Sequence, residues 1–255
     1  MRDITFSVQS ISFLTKDVFE LKLFSKEVLP AMHAGQFVHI KVNDPSVGLR
    51  RPFCLYKFDA NSVTLMIAVV GKGTEALARL KKGDKVLGIV PLGNGFKLSG
   101  QHQTVALIGG GIGCAPLLAV PSCYPGRTFN SYLGFCNKDQ VMLQQEFEKV
   151  SHATVSTDDG SHGFKGYTSD AFLADYRAGF KPDVILTCGP LPMIKAVAKI
   201  SLETGIPAYM SGETRMGCGV GACLVCTCAV RENGVMKNKR ACVDGPVFLV
   251  EDLAL

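Results

Sequence analysis

The 255-residue sequence has no long hydrophobic run. Its longest apolar stretches, such as Val63 to Val70, are far too short to cross a bilayer, so no membrane association is expected. The opening Met1-Arg2-Asp3-Ile4-Thr5 lacks the apolar core of a secretory signal, and a soluble, cytoplasmic protein is expected. Low-complexity tracts and internal repeats are also missing, which argues against long disorder and against solenoid architectures. The excess of one charge sign is small, a formal net +5, and the lysines and arginines are scattered. That spread reads as a solvated surface rather than a nucleic-acid-binding face, although a docking face for an acidic partner stays open.

Cysteine, by contrast, is abundant, with ten residues in a chain expected to sit in a reducing compartment, where a disulfide framework is unlikely to form. Cys54, Cys114, Cys123, Cys136 and Cys188 are scattered, and most of them are expected to be small buried hydrophobes. The other five crowd between Cys218 and Cys242, as metal or cluster ligands do. Cys218, Cys223 and Cys226 have the form C-x4-C-x2-C, with Cys242 as a fourth after a gap, which is the plant-type 2Fe–2S spacing. Gly217, Gly219 and Gly221 interleave the first ligands, so the loop is able to turn tightly and bring backbone N–H groups to the sulfurs. Structural zinc is the competing reading, but it usually pairs one C-x2-C with a second, and the tail has no second pair. Cys228 is read as a non-ligand.

Three textures divide the chain. Residues 1 to about 100 read as short strands with frequent turns, as in an antiparallel β-barrel. Phe37 to Val42 alternates, Val63 to Val70 reads as a buried strand, and a helix is expected over Thr74 to Leu80, capped by Thr74. Residues from about 101 to 210 alternate strand and helix, the mark of a parallel α/β domain. The expected strands are Val105–Ile108, Ser131–Phe135 and Val184–Thr187, and the expected helices are Val141–Val150 and Pro192–Leu202. Residues from about 211 to 255 form a Gly- and Cys-rich tail with little periodicity.

Two loops in the α/β stretch suit a nucleotide. Ile108-Gly109-Gly110-Gly111-Ile112-Gly113-Cys114-Ala115-Pro116 ends a strand and opens a helix. Counted from Gly111 it is G-x-G-x-x-P, so the third position of the dinucleotide fingerprint is proline, and a tight turn without ligand competes. Thr187-Cys188-Gly189-Pro190 ends another strand at the same sheet edge, although Cys188 could simply be a core residue. In the first stretch, Arg51 could pair with a phosphate, Phe53 could stack on a flavin ring, and Cys54 could offer a weak hydrogen bond. Gly71-Lys72-Gly73-Thr74 opens a helix in another anion-binding geometry. Pro91 to Phe96 is turn-rich and reads most simply as a connector.

The order of these motifs closely resembles the ferredoxin–NADP⁺ reductase superfamily. Arg51-Pro52-Phe53-Cys54 falls on its R-x-Y-[ST] motif; Gly71, Gly73 and Thr74 fall on its second motif; and Gly111, Gly113, Cys188 and Gly189 fall on its G-x-G-x-x-P and C-G-P motifs. The resemblance implies FAD held between barrel and α/β domain. Within the superfamily, nearly the whole chain resembles the electron-transfer subunits of class 1B dihydroorotate dehydrogenases. Leu49 to Pro52, Pro91 to Phe96, Thr157 to Ser161, Glu213 to Cys223 and Cys242 to Phe248 carry that likeness. Cys54 departs from the family's hydroxyl residue, so a poorer hydrogen bond to the flavin is implied, and Phe53 replaces the family's tyrosine.

The resemblance implies NAD as the nicotinamide cofactor. The residues leave the preference over NADP open, since Lys138 could meet a 2′-phosphate or be a plain surface lysine. It also implies an FMN-containing catalytic partner subunit that oxidises dihydroorotate to orotate, in a heterotetramer of two subunits of each kind. No separate substrate pocket with its own general base is legible, and no catalytic residue is assigned. Three rival readings stand beside this one. They are the small subunit of an NADH-dependent ferredoxin:NADP⁺ oxidoreductase, an electron-transfer subunit of a hydrogenase or sulfite reductase, and a non-catalytic zinc-binding scaffold.

Overall fold

The computed structural model describes residues 3–212, 214–232 and 234–253. Met1, Arg2 and Glu213, which entered the readings above, lie outside the described residues. The first part of the chain supplies β1 (Ile4–Phe13), β2 (Val18–Ser25), β3 (Phe37–Lys41), β4 (Arg51–Cys54), β5 (Lys57–Phe58), β6 (Ser62–Ala68), α1 (Lys72–Ala78) and β7 (Lys85–Leu92). Seven of these are strands of one antiparallel sheet, in the order β4-β3-β7-β1-β2-β6-β5. Burial alternates along β2, as expected of a strand with one face on a core. No ladder closes this sheet into a barrel among the described residues. Instead, only Leu55 and Tyr56 separate the edge strands β4 and β5, so the chain itself holds the two edges close and the sheet curls.

The α/β part follows with β8 (Thr104–Gly110), α2 (Cys114–Leu118), α3 (Val120–Cys123), β9 (Thr128–Phe135), α4 (Gln144–Glu148), β10 (His152–Thr157), β11 (Phe164–Lys165), α5 (Thr168–Arg177), β12 (Val184–Cys188), α6 (Leu191–Thr204) and β13 (Ala208–Ser211). The tail adds β14 (Thr227–Glu232), β15 (Val235–Arg240) and β16 (Val247–Leu249). The second sheet runs β11-β10-β9-β8-β12-β13-β16 and is parallel except for β16, which pairs antiparallel with β13. Every residue of β12 is buried, because helices cover both faces. α6 ends at Gly205, whose φ of 71° supplies the left-handed residue that closes many helices. The order reverses direction between β8 and β12. Such a switch point leaves a crevice at the carboxyl ends of the strands, where open α/β sheets bind ligands.

The two parts share a core. Val18, Ala34, Tyr56, Met66 and Phe96 pack in one apolar cluster with Leu117, Leu118 and Phe147.

Several local expectations need correction. β3 does not alternate: Phe37 through Ile40 are all buried, because the tail covers the face that would otherwise meet solvent. The helix expected over Val141–Val150 is only Gln144–Glu148, preceded by Leu143 in left-handed backbone at φ 63°. α1 begins two residues before Thr74, which is its third residue and not its cap. Thr74 still secures that end, since its hydroxyl accepts from the N–H groups of Val70 at 2.9 Å and Gly71 at 3.2 Å. The tail contains a hairpin, β14 paired with β15, that its weak periodicity concealed. Pro91 to Phe96 is more than a connector, because the Asn94 side chain donates to the Val243 carbonyl at 2.8 Å and its N–H to that of Gly245 at 2.6 Å, tying the tail down.

Candidate functional site

A cavity of about 400 Å³ opens where the curled sheet, the switch-point crevice and the tail meet. β4 brings Pro52, Phe53 and Cys54 to it, α1 brings Thr74, the turn after β8 brings Gly113, and the end of β12 brings Cys188. Thus six of the residues singled out in the sequence, drawn from four motifs, face one space. Its walls are mainly apolar, as a flat aromatic group requires.

Arg51 lies beside the cavity, against α1. A Cβ placed on Gly73 would stand 3.0 Å from its Nε, so glycine there lets the guanidinium approach the helix start. Arg51 Nη1 donates to the carbonyls of Leu49 at 2.8 Å and Arg50 at 3.2 Å, which fixes the side chain. Its neighbour Arg50 is committed elsewhere, to Asp3 at 2.8 Å.

The two switch-point loops abut. A Cβ on Gly113 would collide with the Cys188 carbonyl, and one on Gly189 would stand 2.9 Å from the Gly110 nitrogen. Gly71 and Gly111 face open space, with nothing within 4 Å of where a Cβ would sit. Gly71, Gly73, Gly111 and Gly189 flank the cavity without lining it. Among the scattered cysteines only Cys114 and Cys188 are buried; Cys54 and Cys123 are half-buried and Cys136 is exposed, fewer buried than expected. Burial pushes the Cys114 thiol up to about 12, so it stays protonated in the core. Lys138 is exposed, and its backbone N–H donates to Ser161 Oγ at 2.8 Å.

Sequence reasoning missed Phe37, Met66, Ser211, Thr214, Met216 and Pro246, which also line the cavity. Thr214 stands out, because its hydroxyl is buried without a hydrogen-bond partner among the described residues. A buried hydroxyl without a partner is costly, and here it faces a cavity that a polar ligand edge could fill. The apolar walls, this orphaned hydroxyl and the guanidinium at the helix start fit a flavin nucleotide.

The cysteine loop lies next to this space. Cys218 Sγ accepts from the backbone N–H groups of Val220, Ala222 and Cys223 at 3.4, 3.3 and 3.4 Å. Cys223 Sγ accepts from the Cys218 N–H at 3.3 Å. Burial pushes the Cys218 thiol up, but those donors outweigh it and bring it down to about 6, the thiolate that metal binding needs. Cys226 and Cys242 are both buried, with sulfurs 3.2 Å apart. Burial, and then Cys226, push the Cys242 thiol up to about 12, a cost that a bound cation would relieve. The four cysteines thus form two pairs, one near the surface and one inside. Among the described residues no group of three His, Cys, Asp or Glu side chains is gathered as for one metal ion. Two pairs and a ring of N–H donors suit a two-iron centre with one pair per iron. Cys228 points away into the hairpin, toward the Lys239 carbonyl at 3.5 Å.

Phe37 joins the two regions. It lines the cavity and packs in one apolar cluster with Cys226 and Cys242. Its strand neighbour His39 is fully buried under the cysteine loop. Burial, aided by Arg50 and Arg51, lowers its pKa below the usual histidine value against the opposing pull of the Cys218 backbone. No helix among the described residues is long and apolar enough to cross a membrane.

Residues 213–254 match the model of the iron–sulfur cluster binding domain of dihydroorotate dehydrogenase B. The chain is 41% identical over 237 residues to the dihydroorotate dehydrogenase B (NAD(+)) electron transfer subunit of Streptococcus mutans serotype c, covering 91% of this chain and 90% of that one. It is 36% identical over 252 residues to the subunit of the same description from Fusobacterium nucleatum subsp. nucleatum, covering 95% of each. Among solved structures, that of an NADH-dependent reduced ferredoxin-NADP oxidoreductase, described for flavin-based electron bifurcation, superposes with a TM-score of 0.88 at 31% identity, over 97% of this chain and 88% of that one. Phthalate dioxygenase reductase shares the fold, with a TM-score of 0.68 at 18% identity over 94% of this chain and 77% of that one. Matched along nearly its whole length, and in its cysteine tail by the cluster-domain model, the chain belongs to the family of dihydroorotate dehydrogenase B (NAD(+)) electron transfer subunits.

Proposed function

We propose that this chain is the electron-transfer subunit of an NAD-dependent dihydroorotate dehydrogenase of pyrimidine synthesis, working in the cytoplasm beside an FMN-containing catalytic subunit in a heterotetramer of two subunits of each kind. Residues 1–100 would bind FAD, 101–210 NAD, and 211–255 the 2Fe–2S centre. When bound, nicotinamide exchanges electrons in pairs as hydride, a two-iron centre takes them singly, and FAD is able to do both, so together they connect the partner's FMN to NAD⁺.

The chain's own residues provide position. Pro52, Phe53 and Cys54 offer the flat wall on which the flavin would lie. Arg51, held by the Leu49 and Arg50 carbonyls against Gly73, offers a preorganised phosphate partner. Gly71 and Thr74 shape the helix start beside it. Gly111, Gly113, Cys188 and Gly189 frame the crevice for the nicotinamide nucleotide. Cys218 and Cys223 would hold one iron, and Cys226 and Cys242 the other. The observation that carries this reading is Phe37, shared by the cavity wall and the buried cysteine pair, because a flavin in that cavity and a cluster on that pair would have little matter between them.

Copurification of the chain from native cells, followed by cofactor analysis of the complex, is the direct test. An FMN enzyme that oxidises dihydroorotate is the expected partner. A larger iron–sulfur protein would favour the second reading, a ferredoxin:NADP⁺ oxidoreductase subunit, which the TM-score of 0.88 to such a structure keeps alive.

Two variants test the flavin site. Charge-assisted hydrogen bonds are worth about 1.5–3 kcal/mol, so Arg51→Ala should weaken FAD binding roughly ten- to hundredfold, read by titrating the apoprotein, with iron per chain unchanged. Thr214→Val should act in opposite directions on the two states. Removing the orphaned hydroxyl should leave the flavin-free protein as stable or slightly more so, while FAD affinity falls by up to about tenfold. Thermal unfolding with and without FAD checks both.

A further inference from the structure

Resting on the two-iron reading of the tail, we infer that His39 is a positioning residue for that centre, donating a ring N–H to the Cys218–Gly219 turn of the loaded loop. His39 sits on β3, on the strand whose Phe37 lines the cavity, and it lies opposite Pro52, another cavity residue. Its side chain is 0% exposed, and neither ring nitrogen makes a well-formed hydrogen bond among the described residues, although the Cys218 backbone lies close enough to favour the ring's proton. An imidazole carries at least one N–H whichever tautomer it adopts, so a buried, unpartnered ring is an unused donor. Leaving it unused costs free energy, and native interiors seldom tolerate that without a reason.

The ring faces the cysteine loop. Gly219, with φ at 72°, follows the ligand Cys218, and a Cβ on it would stand 2.5 Å from His39 Nδ1. No side chain fits there, so the glycine lets the loop settle directly on the imidazole. Backbone N–H groups of Val220, Ala222 and Cys223 donate to Cys218 Sγ within the same loop. His39 thus places a side-chain donor against the turn that carries Cys218, from the strand whose Phe37 lines the cavity. Donors near cluster sulfurs stabilise the reduced, more negative state and raise the potential. The contact therefore ties the position of β3 to the electron affinity of the centre.

His39→Phe fills the space without a donor, and His39→Gln keeps a donor. Iron content and the electron paramagnetic resonance signal of the reduced protein report whether a two-iron centre is present at all, which tests the reading beneath this one. With the centre present, a redox titration followed by that signal should show His39→Phe shifted to more negative potential, changing the oxidised-to-reduced ratio about tenfold, equivalent to about 59 mV for one electron, with His39→Gln closer to the parent. Equal potentials in the parent and His39→Phe, or equal shifts in both variants, would overturn the inference. If His39→Phe fails to fold or to take up iron, the parent protein labelled with ¹⁵N-histidine decides. Pulsed resonance of its reduced centre should show hyperfine coupling to a histidine nitrogen, and absence of coupling overturns the inference.

Discussion

Cys226→Ala is expected to leave the purified chain with only traces of iron and to stop dihydroorotate-dependent NAD⁺ reduction in the assembled complex, while NADH oxidation by a two-electron dye continues. The variant removes one of two buried sulfurs that stand 3.2 Å apart. Its partner Cys242 keeps a thiol that burial still pushes up, with no second sulfur to share a cation. Changes merely next to metal ligands cost 10–100-fold in affinity or activity, so losing a ligand should cost at least about hundredfold in complex turnover. The cavity proposed for the flavin does not include Cys226, so FAD content should stay near that of the parent. Iron analysis, flavin absorbance and the two assays, run on the same preparation, separate a lost cluster from a lost fold.

Gly113→Val should lose NAD⁺ turnover by a different route. The added side chain would collide with the Cys188 backbone, which cannot rotate away as a flexible side chain would. The loops after β8 and β12 must separate, and the crevice between them is where the nucleotide is proposed to sit. Overpacking of this kind costs about 1–3 kcal/mol, equivalent to a fall in Tm of roughly 2–12 °C for a chain of this size. A KM for NAD⁺ raised at least about tenfold is expected with iron content unchanged, because the cysteine loop lies outside the distorted region. Gly113→Ala should move both quantities in the same direction by less. Stopped-flow reduction by NADH, together with a thermal melt, checks the pair.

The rhythm of the chain told most of the architecture before any coordinates. Short turn-rich strands became the antiparallel sheet, and alternating strands and helices became the parallel one, because those patterns follow from which faces are buried. The cluster-binding character of the tail was legible as well, in the crowding and spacing of its cysteines. Other features were hidden for physical reasons. The alternation in Phe37 to Val42 suggested one solvent face, but the tail, far away in sequence, covers it. The hairpin of β14 and β15 exposes most of β15, so hydrophobic pattern gave no signal, although Asn233-Gly234 in the sequence is a strong turn signal that went unread. Leu143 breaks the expected helix through a left-handed backbone that propensity disfavours for leucine. Ser211 reaches the cavity from a segment that carries no motif, and Thr214 and Pro246 from stretches that carry the family likeness without marking a cavity wall. A wall assembled from separate loops is a property of tertiary packing, and no single stretch announces it.

The central claim is that a two-iron centre held by Cys218, Cys223, Cys226 and Cys242 exchanges electrons with a flavin in the adjoining cavity. Anaerobic addition of NADH to the purified protein, followed by rapid freezing and electron paramagnetic resonance, tests it most directly. The account predicts about two irons per chain and a reduced-cluster signal that appears within the time of one turnover. A colourless protein with bound zinc, or a cluster that NADH leaves oxidised while the flavin is reduced, would contradict it.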